Sequence, residues 1–193
     1  SKHFYMRDFL YTEIGNFYGI ANIPQDPDMA IAHGRTLCEL LLDPLQETFG
    51  RIAIRSAYRS REVNEFGNKN NLKCAKNDAN FGFHIWDGVH ESGRGAGTSL
   101  VIPWFADRYD HGRDWRDLAW WIHDHLPYSD QFYFPKLAAF NLGWREHPRR
   151  TISSYIAPKG QLLAPGADPA EPLEVRQARY ADFPPYRGIK YPD

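Results

Sequence analysis

Arg51-Ile52-Ala53-Ile54-Arg55 runs straight into Ser56-Ala57-Tyr58-Arg59-Ser60, with Asn64 four residues further on, and the fold is read outward from this stretch. Its first half alternates polar and apolar residues at period two, which marks a strand with one buried face, and the strand delivers Tyr58 and Arg59 beyond its carboxyl end. A second strand is expected at Ser99-Leu100-Val101-Ile102, an apolar run typical of a central position, and Pro103 ends it. Between the two lie residues 66 to 83, a loop by their Gly, Asn and Lys content, and the histidine-bearing segment Phe83-His84-Ile85-Trp86-Asp87-Gly88-Val89-His90.

On the amino side, residues 26 to 42 predict a helix, with Asp26 as N-cap, Pro27 in the first turn, and Met29, Leu37, Leu40 and Leu41 at helical spacing. Pro44 has no backbone donor and pushes Asp43 out of the helical region, so a break is expected near Leu42-Asp43. A short second turn over 44 to 49 then stops at Gly50. On the carboxyl side, Trp115, Leu118, Ile122 and Leu126 predict a helix over 114 to 126, between Asp114 and Pro127. Strands are expected at Gln131-Phe132-Tyr133-Phe134 and Thr151-Ile152-Ser153-Ser154-Tyr155. The order is helix, strand, strand, helix, strand, strand, which is an α+β plan.

The chain length of 193 residues suits one domain with an appendage. Apolar residues are 42 % and aromatics 15 %, the composition of a folded, aromatic-rich globule. The net charge is -1, from 23 basic and 24 acidic residues, so nothing electrostatic favours nucleic acid or an anionic membrane as partner. Cys38 and Cys74 form neither a disulfide framework nor a zinc ribbon and read as free thiols in a reducing cytoplasm, with a single bridge as the alternative. No apolar run is long enough to span a bilayer and the first residues lack a signal-peptide core, so the chain reads as soluble, with the cytoplasm favoured. Seven of the fourteen prolines follow residue 157, and with them helical and strand periodicity ends. The expectation is a domain over 1 to 156 and an extended proline-rich arm over 157 to 193. Phe183, Tyr186 and Tyr191 would dock that arm on its own domain or on a neighbouring subunit, the second case making a homo-oligomer.

Leu42-Asp43-Pro44-Leu45, Phe49-Gly50, Ile52-Ala53-Ile54 and Ser56-Ala57-Tyr58-Arg59-Ser60 with Asn64 resemble the zinc D,D-carboxypeptidases and phage lysins of the peptidase M15 family, over roughly residues 20 to 160. The resemblance implies a small antiparallel sheet flanked by helices, a groove with Tyr58, Arg59, Ser60 and Asn64 on the substrate, and a terminal carboxylate held by Arg59. A guanidinium fork suits that group, having paired donors and a permanent charge. It also implies a catalytic zinc, for which His84, Asp87 and His90 offer two imidazoles and a carboxylate at three-residue steps. The other reading of that segment is a hydrogen-bonded His84 and Asp87 pair. The family's later ligands have no counterpart, since Gly97-Thr98-Ser99 holds no carboxylate before the second strand and residues 151 to 155 hold no histidine. Two functions follow from the resemblance: binding, with or without hydrolysis, of a small peptide or cell-wall peptide, or an inactive structural or assembly module on the same fold. His123 and His125 read separately, as a solvated helix end.

Overall fold

The computed structural model of the chain describes residues 1–91 and 93–187. The alternating stretch at 51 to 55 becomes β1 (Ala53–Ser56), which pairs antiparallel with β2 (Gly95–Val101). Four more strands follow: β3 (Asp130–Tyr133), β4 (Phe140–Arg145), β5 (Thr151–Ser154) and β6 (Gly160–Leu163). Together they make one six-stranded sheet in the order β1-β2-β4-β3-β5-β6. The helices are α1 (Glu13–Tyr18), α2 (Pro27–Leu37), α3 (Asp43–Phe49), α4 (Arg61–Lys69), α5 (Asn77–Asn80), α6 (Pro103–Asp110), α7 (Trp115–His125) and α8 (Leu173–Arg179). Among the described residues no helix is long and apolar enough to cross a membrane.

The α+β plan holds, but the sheet is mixed rather than antiparallel, because β3 and β5 run parallel. Chain geometry accounts for this. β3 and β4 form an antiparallel pair, so β4 ends where β3 begins. The residues after β4 cross that end, tied by the Arg149 N–H to Ser129 Oγ (3.1 Å) and the Thr151 N–H to the Ser129 carbonyl (3.0 Å), so β5 starts beside β3 and points the same way.

The helical stretch before β1 also departs from expectation, since Pro44 does not interrupt it. A five-residue π-turn, Cys38–Leu42, joins α2 to α3, and the Asp43 N–H reaches back five residues to the Cys38 carbonyl. The wider turn moves carbonyls away from the proline ring, and Pro44 then sits in the first turn of α3, where no N–H is needed.

One face of the sheet carries Ala96, Leu100, Tyr133, Phe140, Leu142 and Ile152, all buried in a core shared with Leu37, Leu41, Leu118 and Trp121 of the helical layer. The opposite face presents glycines at its centre, Gly97 of β2 beside Gly143 of β4. A Cβ at Gly97 would lie 2.4 Å from the Phe83 ring and one at Gly143 would lie 3.0 Å from it, so these glycines are the floor on which the histidine segment rests.

Residues 157 to 187 pack on their own domain, one of the two dockings expected, but as strand and helix rather than as an extended arm. β6 extends the sheet beside β5, and α8 packs on α7, where Arg176 pairs with Asp124. Phe183 inserts among Phe49, Trp104 and Phe105, with ring centroids 5.1 to 6.0 Å apart. Proline count alone misled here, because the residues between the prolines still supply a short strand and a helical turn with groups that the core can use. Residues 188 to 193, including Tyr191, lie outside the described residues.

Candidate functional site

β1 and β2 pair only as far as Ser56 and Ser99, where the register shifts, and past that point the two strands part. Residues 83–84 fill the opening. The Gly97 N–H donates to the Phe83 carbonyl (2.7 Å) on one side, and the Arg59 N–H donates to the His84 carbonyl (2.8 Å) on the other. The segment is turned by the Asn80 carbonyl, which accepts from the backbone N–H groups of Phe83, His84 and Ile85 at 3.0 to 3.1 Å. Asn80 is itself held by Asn64, whose Oδ1 accepts from Asn80 Nδ2 (3.0 Å) while its own amide donates to Ala75 O and Asn77 Oδ1. Ser60 caps α4 by accepting from the Val63 N–H at 3.2 Å. Two of the four expected substrate contacts, Ser60 and Asn64, are therefore used to build the site's frame.

Tyr58 is 1 % exposed and donates its hydroxyl to Asp87 Oδ1 at 3.2 Å. Burial, and then the Asp87 charge, push that hydroxyl further from ionisation. The other Asp87 oxygen accepts from the backbone N–H groups of Gln25 (2.7 Å) and Asp26 (3.2 Å), fastening the entry to α2. Asp87 thus pairs with Tyr58 and the main chain, so the expected His84 and Asp87 pair is not formed; a carboxylate with three donors already converging on it has no need of the imidazole.

His84 turns the other way. Its Nδ1 lies 2.7 Å from the Ala57 carbonyl, which can only accept, so Nδ1 carries the proton and Nε2 keeps the lone pair. Burial, with the nearby Arg59 charge acting in the same direction, pushes the ring from 6.5 down to about 3. No described group bonds Nε2. His90 is half-buried and bridged to Gly93 by backbone hydrogen bonds. Among the described residues no three His, Cys, Asp or Glu side chains stand close enough to hold a metal ion.

Arg59 is 9 % exposed, and its Nη1 donates to Cys74 Sγ at 2.7 Å. Nε and Nη2 meet no acceptor among the described residues, and no carboxylate forms an ion pair with the side chain. Burial lowers the affinity of this guanidinium for its proton. An interior cation normally acquires an acid partner, because desolvation without one is costly. Arg59 has a thiol on one nitrogen and a buried Nε with no acceptor among the described residues. Sequence reasoning did not find Cys74 as its partner. The two lie fifteen residues apart across a loop, and a cysteine carries no periodic signal. The asparagine frame did leave a trace in the crowding of Asn64, Asn68, Asn70, Asn71, Asn77 and Asn80.

The helix-end histidines are not solvated as expected. His123 bonds the Tyr128 hydroxyl at 2.8 Å and is pushed down to about 4, mainly by burial and then by Arg150. His125 stacks on Trp121 with centroids 4.6 Å apart. His84 and His123 are neutral when folded, whereas each takes up a proton near its ordinary value of 6.5 in the unfolded chain. The unfolded state then binds more protons below about pH 6.5, so stability should fall as pH is lowered toward about 5. Urea midpoints across that range should decline for the native chain and decline less for His84→Asn. A flat native profile would overturn this assignment.

Comparison of the chain with protein-family models, with curated proteins and with solved structures gives no match.

Proposed function

We propose that the protein is a peptidase M15-like domain that binds a short peptide or cell-wall peptide by its terminal carboxylate at Arg59. The observation that carries this reading is the buried guanidinium with an unused donor and no acid partner. A carboxylate reaching the guanidinium at Nη2 would receive a charge-assisted N–H bond and supply the missing countercharge. His84 Nε2 offers an acceptor in the same neighbourhood, suited to a peptide N–H or a hydroxyl. The activity proposed is binding, because an unpaired guanidinium accounts for holding a carboxylate without any bond being broken. The alternative is an inactive structural or assembly module on the same fold.

Calorimetric titration with an N-acetylated tripeptide ending in D-alanyl-D-alanine, and with the same peptide as its C-terminal amide, tests the proposal. The acid should bind at least about tenfold more tightly than the amide, and the preference should vanish in Arg59→Met. Equal binding of acid and amide by the native protein, or binding of neither, would overturn it.

A further inference from the structure

We propose that the open cleft between α1 and the loop at 71 to 73 is a binding site for a neutral saccharide. The cleft has a volume of about 780 Å³ and is lined by aromatic, amide and charged side chains of α1 and of that loop, within the size range of small-molecule sites. It does not include Arg59, and the proposal stands independently of the carboxylate reading.

Three aromatic rings at this cleft are left in solvent: Phe17 is 82 % exposed, Tyr11 62 % and Tyr18 47 %. The tryptophans Trp86, Trp115, Trp120 and Trp121 are spent on the core, each at 2 % exposure or less, and exposed rings such as Tyr5 and Tyr155 line no part of this cleft. The rings at the cleft are also braced. Phe17 meets Tyr18 edge-on at 4.8 Å, and Tyr18 leans on Phe66 of α4 at 4.7 Å, so an apolar wall stands ready before any ligand arrives.

The opposite wall is polar and strained. Asn71 and Lys73 hold positive φ angles of 57° and 60°, a region disfavoured for lysine, and Leu72 between them is pinned by its N–H to the Gly67 carbonyl at 2.8 Å. The side chains of Glu13, Asn16, Asn71 and Lys73 line the cleft and form no hydrogen bond or ion pair with other described residues.

This composition selects the ligand. An aliphatic molecule would cover the amides and charges without bonding them, which is unfavourable. A phosphate-bearing ligand would need an excess of positive charge, whereas Glu13 and Lys73 cancel one another. A pyranose matches both walls, because its C–H face packs on an aromatic ring while its rim of hydroxyls donates to and accepts from carboxylate, amide and ammonium groups.

The probes are chitotetraose and cellotetraose, titrated separately against the full chain labelled for amide NMR. Phe17 is mostly in solvent, so Phe17→Ala leaves the fold intact, and Tyr18→Ala serves as the second variant. Binding of at least one tetrasaccharide at about millimolar strength, with shifts at α1 and at residues 71 to 73, and a loss of about tenfold or more in Phe17→Ala, would support the site. Absence of binding by both sugars, or binding that neither substitution weakens, would overturn it.

Discussion

Trp86→Ala is expected to remove about 4 kcal/mol of folding stability, in the middle of the range for truncating a buried large aromatic. Trp86 is completely buried and anchors the histidine segment, to which it belongs, against the helical layer. Gly34 in α2 makes room for it, since a Cβ there would lie 2.7 Å from the indole. Phe9 and Tyr58 close on it with centroids at 5.3 and 5.9 Å. Its Nε1–H donates to the carbonyls of both Phe83 (2.7 Å) and Gly97 (3.1 Å), and its own carbonyl accepts from His33 Nδ1 at 2.6 Å. Truncation therefore opens a cavity and also releases the hydrogen bond that locks residues 83–86 to β2. Trp86→Phe keeps most of the volume and loses mainly the donor, for a smaller effect of about 1–2 kcal/mol. Denaturant midpoints read by circular dichroism separate the two. A Trp86→Ala loss below about 1 kcal/mol would show that the segment is held without the indole.

That one side chain joins core to site also explains how far the sequence could be read. β1 and α7 announce themselves because their less exposed positions recur at the period of the element, and α7 runs from Trp115 to His125 with Asp114 capping it, close to the expected 114 to 126. β4 had the same signal, Phe140-Asn141-Leu142-Gly143-Trp144-Arg145 alternating at period two, yet Gly143 weakens it as a strand. The amino half of β2 is hidden for the same reason, with Gly95 and Gly97 in it. Both glycines mark close approach, at Gly97 to the Phe83 ring and at Gly95 to the Gly82 and Trp144 carbonyls, and such a contact from a distant segment is not visible locally. At the site, the order of strand, Tyr58-Arg59 and histidine segment did place Arg59 beside His84. Which way each side chain turns did not follow from order. His84 faces Ala57, Asp87 faces Tyr58 and α2, and the choice is made by carbonyl and N–H groups that no residue pattern encodes.

The carboxyl-terminal segment is the clearest case of a distant partner, and Asp124→Ala should release it. Asp124 accepts from Arg176 Nη2 (2.7 Å) and Nε (3.1 Å), and from the Tyr180 hydroxyl (2.8 Å). Both side chains of the ion pair are about nine-tenths buried, at 10 % and 8 % exposure. Removing the carboxylate strands a desolvated guanidinium, which costs about 3–5 kcal/mol, more than the pair itself contributes. Arg176 also donates to the Glu171 carbonyl at 2.6 Å and lies over the Trp120 ring, so it cannot swing into solvent without giving up both contacts. The expected result is loss of α8 from α7 ahead of the rest of the domain, seen as early proteolytic cleavage between residues 165 and 180 and as a lowered thermal midpoint. Arg176→Met added to Asp124→Ala distinguishes the stranded charge from a lost attraction. If desolvation of an unpaired cation is the cause, the double variant should be more stable than Asp124→Ala alone, because methionine fills the space without a charge to bury. A double variant no better than the single one would instead assign the loss to the bonds that Asp124 makes, with Tyr180 chief among those remaining.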